Sequence, residues 1–260
     1  TLKEHYPDAD IGIWGVWDSY VFKYLTKRLA TQPADKPIFV FVLTSTNHPP
    51  YDLPRDYQRV PRDMALWKGE TTSDTLLLNL DTYHYATDLL GGFVQEVQKG
   101  PRKGNTIVAA TGDHNVRSFG LYADPSRRYL QRQVPFMIWG EGLQCGPQQA
   151  LPASHRDMFS TLLPLVGVDG PYINAGRNLL RTPRQDNPLD APRAMFFTGE
   201  VRNTTGLWKL GSKDSFTCSS PPDAQPPGAA QCQFNAQDDQ QERARYGLLD
   251  WNVRNSMRRN

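Results

Sequence analysis

Two short polar clusters in this sequence hold residue types able to work on a charged substrate. The first is Thr111-Gly112-Asp113-His114, where a carboxylate and an imidazole stand side by side on a glycine turn. A hard oxygen and a neutral ring nitrogen so placed can both reach one divalent cation. An Asp-His pair in a loop also serves as a solvated turn or a helix cap, and a structural metal site normally takes four ligands where only two are visible. The second cluster is Thr46-Asn47-His48, followed by two prolines. A histidine in so rigid a loop can contact an anionic substrate or simply stand at the surface. Of the other histidines, His84 lies between two tyrosines and reads as packing or solvent-facing, His155 as part of a helix start, and His5 carries no signal. No G-x-S-x-G nucleophile elbow, Walker loop or dinucleotide fingerprint occurs, which argues against hydride transfer and nucleoside triphosphate chemistry.

Each cluster follows an apolar run. Ile38 to Thr44 is β-branched and aromatic without alternation, as expected of a strand buried on both faces, and Thr106 to Thr111 is a shorter strand of the same kind. A third strand is expected at Val134 to Trp139. Helical spacing of Val21, Phe22, Leu25 and Leu29 predicts a helix over Asp18 to Ala30 with Asp18 as N-cap. A long helix is predicted from Asp74 to Lys99, with Leu77, Leu80, Tyr83, Leu90, Phe93 and Val97 as its apolar positions and Gly100-Pro101 as its stop. Ser154-His-Arg-Asp157 has the form of a capping box opening a helix that runs to Gly167. Beyond it come expected strands at Ala194 to Glu200 and Gly206 to Leu210, an exposed loop at Ser219 to Gln240, and a terminal helix over Gln241 to Ser256 with Leu248, Leu249 and Trp251 on one face. Strands alternating with helices imply an α/β sheet covered on both faces, with both polar clusters at the carboxyl ends of strands, where such sheets gather ligands.

The 260 residues carry 29 Lys+Arg against 27 Asp+Glu, a net charge of +2, which gives no basic footprint for nucleic acid or polybasic patch for a membrane. The longest apolar run, Ile38 to Leu43, is far short of the roughly 18 residues that span a bilayer. No N-terminal segment reads as a signal peptide, and the chain opens at Thr1 rather than at an initiator Met, so it is expected to be a piece of something longer. Of three cysteines, Cys218 and Cys232 flank a Pro- and Gln-rich stretch. A disulfide closing that loop would stabilise it by roughly 3 kcal/mol and indicate an oxidising compartment, while two free thiols are the alternative. Cys145 is left over.

Five blocks occur in an order that resembles the sulfatase branch of the alkaline phosphatase superfamily, and within it the lipoteichoic acid synthase-like, phosphoglycerol transferase-type members. They are Phe39-Val-Phe-Val-Leu-Thr-Ser-Thr-Asn-His-Pro-Pro-Tyr-Asp-Leu-Pro54, Tyr85-Ala-Thr-Asp-Leu-Leu-Gly-Gly-Phe93, Asn105-Thr-Ile-Val-Ala-Ala-Thr-Gly-Asp-His114, Val134-Pro-Phe-Met-Ile-Trp-Gly140, and His155-Arg-Asp-Met-Phe-Ser-Thr-Leu-Leu-Pro-Leu-Val-Gly167. The stretch Trp14-Gly-Val-Trp-Asp18 also looks like the one that precedes the corresponding helix in that group. The resemblance covers residues 10 to 180 or so. It implies a three-layer α/β/α sandwich with a central mixed, mostly parallel sheet. Residues 1–260 would then be the C-terminal portion of one catalytic domain, with 181–260 supplying its last strands, a loop and the terminal helix.

For the chemistry, the resemblance implies that Asp113 and His114 are metal ligands and that His48 faces the phosphate group of the substrate. The other two ligands, an acidic residue and a Thr nucleophile, would lie upstream of Thr1, so no catalytic nucleophile is assigned within the chain. The implied reaction has two steps: the metal-activated Thr attacks phosphorus, and an acceptor hydroxyl then displaces it. One divalent cation is expected, Mn²⁺ first, with Mg²⁺ or Zn²⁺ close behind. Asn115-Val116 follows Asp-His where phosphoethanolamine transferases and many sulfatases carry Gly-Glu, which favours the phosphoglycerol transferase type. The expected substrate is a phosphoglycerol-type lipid or glycan on the extracytoplasmic, periplasmic side of a bacterial inner membrane, with anchoring by an upstream transmembrane segment. A sulfatase or phosphodiesterase that passes the group to water, or a degenerate binding module, are the rival readings.

Overall fold

The computed structural model describes residues 2–63, 74–115, 132–144, 151–168, 176–187, 190–196, 199–218 and 232–257. The chain divides into two compact units, one of Thr1–Ala123 with Gln133–Gln144 and one of Asp124–Arg132 with Cys145–Asn260.

The first unit begins with a short helix, α1 (Leu2–His5), and a small hairpin, β1 (Ile11–Gly12) and β2 (Gly15–Val16). Ile11 pairs with Val16 and Gly12 with Gly15, so Ile13 and Trp14 form a two-residue turn. Gly15 closes that turn at φ 120°, a backbone conformation open to glycine and strained for other residues. Helix α2 (Asp18–Thr31) and the 26-residue helix α3 (Asp74–Lys99) follow as their periodicity predicts. They pack through Leu25, Phe93 and Val97, with Val21, Phe22, Leu29, Val42 and Val108 around them. β3 (Val108–Thr111) and β4 (Phe136–Trp139) pair antiparallel, Thr111 opposite Phe136, close to the expected strand positions.

Two expectations about which segments bury fail in this unit. Ile38 to Thr44 joins no sheet among the described residues. Phe39, Phe41 and Leu43 are 73%, 79% and 73% exposed, while Val42 turns toward the helical core. An apolar run reports what a segment would bury, and a ladder requires a neighbour at hydrogen-bonding distance as well. The face that α3 buries in its first half also differs from the predicted one: Leu76, Asn79, Thr82 and Tyr85 are buried, and Tyr83 is half exposed. That polar face holds the His48 loop.

The second unit contains α4 (Asp157–Leu165), an antiparallel meander of β5 (Ala194–Met195), β6 (Glu200–Arg202), β7 (Gly206–Lys209) and β8 (Ser212–Cys218), and α5 (Ala236–Met257). The capping box at Ser154 is half made. Asp157 accepts the Ser154 N–H at 2.8 Å, whereas the Ser154 hydroxyl is buried without a partner among the described residues, and α4 starts at Asp157. The second oxygen of Asp157 accepts the Arg177 N–H at 2.9 Å.

Helix α5 reverses the expected amphipathicity. Leu248 and Trp251 are exposed at 57% and 61%, and the buried face carries Asp239, Glu242 and Arg245. Glu242, fully buried, accepts from Arg156 at 2.7 Å, Arg245 at 3.0 Å and Arg193 at 3.3 Å, and Arg193 also reaches Asp238 at 2.7 Å. Burial works against the Glu242 carboxylate, but the Arg156 hydrogen bond and charge, joined by Arg245 and Arg193, hold its pKa below the ordinary carboxylate value. Asp239 accepts from the Trp208 indole N–H at 3.0 Å, which ties the meander to α5. The expected disulfide joins Cys218 to Cys232. Cys145 and residues 219–231 of the expected loop lie outside the described residues.

Candidate functional site

The His48 loop is clamped from two sides. Asp18 does not cap α2: Trp17 takes the N-cap position, and the Asp18 carboxylate turns away from the helix. Its Oδ1 accepts the Ser45 N–H at 2.9 Å, and its two oxygens share the Thr46 N–H at 3.4 and 3.3 Å. Thr46 Oγ1 in return accepts the Asp18 N–H at 3.2 Å, and both residues are buried. On the other side Asn47 Oδ1 accepts from Asn79 Nδ2 at 3.1 Å and Thr82 Oγ1 at 2.9 Å, so the polar face of α3 holds the residue next to His48. The loop closes on itself through the Tyr51 N–H, which donates to the His48 carbonyl at 2.8 Å. Tyr51 sits at φ 68°, a strained conformation for a residue with a Cβ, and its ring is buried. Burial also pushes the Tyr51 phenol above its ordinary pKa.

These clamps leave the His48 imidazole exposed on a small pocket whose lining includes Trp14, Ser45, Thr46 and Asp52. The Trp14 and His48 rings meet edge to face, with centroids 4.3 Å apart. Trp14 Nε1 donates to the Pro49 carbonyl at 2.7 Å, and His48 Nδ1 lies 3.0 Å from the same oxygen.

Asp113 and His114 follow β3 directly. Gly112 makes the approach possible, because a Cβ there would lie 3.1 Å from a methyl of Val134. Asp113 accepts the His114 N–H at 2.8 Å and is itself 74% exposed at its side chain. His114 Nδ1 lies 3.0 Å from the Asn115 carbonyl, which can only accept, so in the neutral ring the proton sits on Nδ1 and the lone pair on Nε2. That Nε2 is 3.6 Å from Asp113 Oδ2. Two atoms this close, one a carboxylate oxygen and the other a ring nitrogen, could both reach one divalent cation. The pair therefore fits a divalent metal as two of its ligands, one hard oxygen and one unprotonated imidazole nitrogen. Among the described residues no group of three or more His, Cys, Asp and Glu is placed to hold a metal.

The structure thus brings Asp113 and His114 together, and it sets His48 in a pocket that neither of them lines. His84 shares a 3.0 Å hydrogen bond with the Tyr57 hydroxyl, in keeping with the packing reading, and exposed His5 meets the Tyr24 ring at a tilt of 43°. Trp14, Asp18, Asn79 and Thr82 are site-building residues that sequence reasoning missed. Only the fall of Asp18 and Trp14 within one short motif hinted at them.

The sulfatase family model matches residues 2–168. The chain is similar to lipoteichoic acid synthase 1 of Bacillus subtilis, at 26% identity over 58% of this chain and 24% of the relative. It is also similar to the lipoteichoic acid synthase of Staphylococcus saprophyticus, at 25% identity over 66% of this chain and 27% of the relative. The chain thus spans about a quarter of the length of these curated relatives. Among solved structures, an alkaline phosphatase superfamily protein from Vibrio parahaemolyticus superposes with a TM-score of 0.57 at 25% identity, over 79% of this chain and 47% of that one. The lipoteichoic acid synthase LtaP of Listeria monocytogenes superposes with a TM-score of 0.67 at 15% identity, over 94% of this chain and 60% of that one, which shows a shared fold. The α/β class is thereby that of the alkaline phosphatase superfamily, with its sandwich only partly visible in the small sheets of this structure. With more than half of its length inside the family model, this chain belongs to the sulfatase family.

Proposed function

We propose that this chain is the metal-holding part of an extracytoplasmic phosphotransferase of the phosphoglycerol transferase type. The observation that carries the reading is the His114 Nε2, freed by the Nδ1 contact with the Asn115 carbonyl and set 3.6 Å from Asp113 Oδ2. Similarity to two lipoteichoic acid synthases supports a phosphoglycerol-bearing lipid or glycan as substrate. A bound divalent cation, Mn²⁺ by ligand type and with Mg²⁺ or Zn²⁺ as the alternatives, supplies charge neutralisation on the transferring group and lowers the pKa of a hydroxyl nucleophile.

The protein residues do the rest. Asp113 supplies a carboxylate oxygen, and the Asn115 carbonyl keeps the His114 ring oriented with its proton on Nδ1. His48 donates from Nε2, when protonated, to a non-bridging phosphate oxygen or to the leaving oxygen, and its double clamp holds it there without reorganisation. The Thr nucleophile and the acidic ligand are proposed to lie outside residues 1–260, together with a membrane anchor that places the domain on the outer side of the bacterial inner membrane.

The test is release of product from a phosphoglycerol lipid analogue by the full-length protein, with and without added Mn²⁺. Metal-dependent transfer to an acceptor alcohol that falls at least a hundredfold in H48A supports the reading. Membership in the sulfatase family favours hydrolysis as the second reading, and release to water alone, or turnover of an aryl sulfate, would establish it.

A further inference from the structure

We infer that Trp14 is a positioning residue that fixes the proton of His48 on Nδ1, so that Nε2 is the atom offered to the pocket. The inference starts from one acceptor shared by two donors. The Pro49 carbonyl receives the Trp14 indole N–H at 2.7 Å and faces His48 Nδ1 at 3.0 Å. A carbonyl oxygen has two lone pairs and no hydrogen, so both partners must bring a proton. The opposite tautomer would set the Nδ1 lone pair against the carbonyl at 3.0 Å, an uncompensated repulsion.

Trp14 acts in two further ways. Its ring meets the imidazole edge to face at 4.3 Å and 69°, which obstructs the ring flip that would exchange Nδ1 for a carbon. Its N–H also pins the carbonyl that sets the tautomer. The indole is 56% exposed, so packing alone gives little reason for its placement, and the two-residue turn between Gly12 and Gly15 directs it at a loop 35 residues on. Asp52 is the other titratable residue lining this pocket, and no other charged side chain lines it among the described residues.

The effect on turnover rests on the proposed role of His48, but the tautomer does not, and the experiment separates them. Long-range nitrogen–proton correlation spectra are recorded on the full chain carrying ¹⁵N-labelled histidine, with H48Q for assignment. The neutral His48 of the unaltered protein is expected as the Nδ1–H tautomer. W14F, which keeps a ring and loses the N–H, is expected to shift His48 to a mixture with the Nε2–H form. It should lower kcat by about 10-fold with KM within about twofold and leave the melting temperature in place. An Nε2–H tautomer in the unaltered protein, which needs no variant to fold, overturns the inference. So does a tautomer unchanged in both W14F and W14A. An Nδ1–H His48 in an enzyme indifferent to H48A supports the positioning role and overturns the proposed function.

Discussion

Asp18 Oδ1 accepts the backbone N–H of Ser45 at 2.9 Å, the shortest of the hydrogen bonds by which Asp18 fastens the first turn of α2 to the loop that carries His48. The carboxylate is fully buried and also serves the N–H of buried Thr46, so it satisfies two backbone amides of the loop.

D18A should therefore destabilise the protein by about 2 to 3 kcal/mol, because a buried charge-assisted acceptor is lost and two donors are orphaned. Urea unfolding of the variant measures this. A loss within about 0.5 kcal/mol would mean that the loop holds its shape without the clamp.

Asn47 links the same loop to α3 through Asn79 and Thr82. N47A and T82V should each cost about 1 kcal/mol, and the double variant less than their sum, since both remove the same bond. A double-mutant cycle by denaturant melts checks it, and strict additivity would show that the contact contributes nothing in solution.

Helices α2 and α3 were legible because Leu25 and Leu29, or Phe93 and Val97, repeat at helical spacing and join one core, Leu29 partly buried and the other three buried. The Asp113–His114 pair was legible because adjacency at a strand end needs no tertiary information. Other features depended on partners distant in sequence. Nothing in Phe39-Val-Phe-Val-Leu43 tells whether a neighbouring strand is present, and the exposed Phe41 shows the outcome. The buried face of α5 misled for a different reason: three arginines from other elements and its own turn surround Glu242, so a charged stripe sits inside while Leu248 and Trp251 point outward. Trp14 has no chemistry alone and acquires a role only at Pro49, 35 residues away.

That arginine cluster sets an acid limit on stability. Glu242 has a folded pKa below the ordinary glutamate value, so the folded state binds its proton less readily than the unfolded chain does. Its contribution is present above the unfolded pKa and is lost as pH falls through the folded one. E242Q should remove this part of the acid dependence and, at neutral pH, cost about 3 to 5 kcal/mol by leaving Arg156, Arg193 and Arg245 without their shared carboxylate. Melting curves from pH 3 to 7 test both points, and an E242Q variant as stable as the parent at pH 7 would contradict the account.

The Cys218–Cys232 disulfide spans 14 residues of chain, and loop closure of that length corresponds to roughly 3 kcal/mol on the chain-entropy model. Reduction, or the C218S/C232S pair, should lower unfolding stability by about that amount. Thiol labelling of the unreduced, unfolded protein should find one reactive cysteine, and three would refute the pairing.

The most direct test of the central claim is pulsed electron paramagnetic resonance on the full-length protein loaded with Mn²⁺, read for nitrogen coupling to the metal. The account predicts one directly coordinated imidazole nitrogen, lost in H114Q, and an Mn²⁺ affinity at least tenfold weaker in D113A. A tightly bound Mn²⁺ whose nitrogen coupling survives H114Q, or whose affinity is indifferent to D113A, would contradict the assignment of Asp113 and His114 as the metal-holding pair.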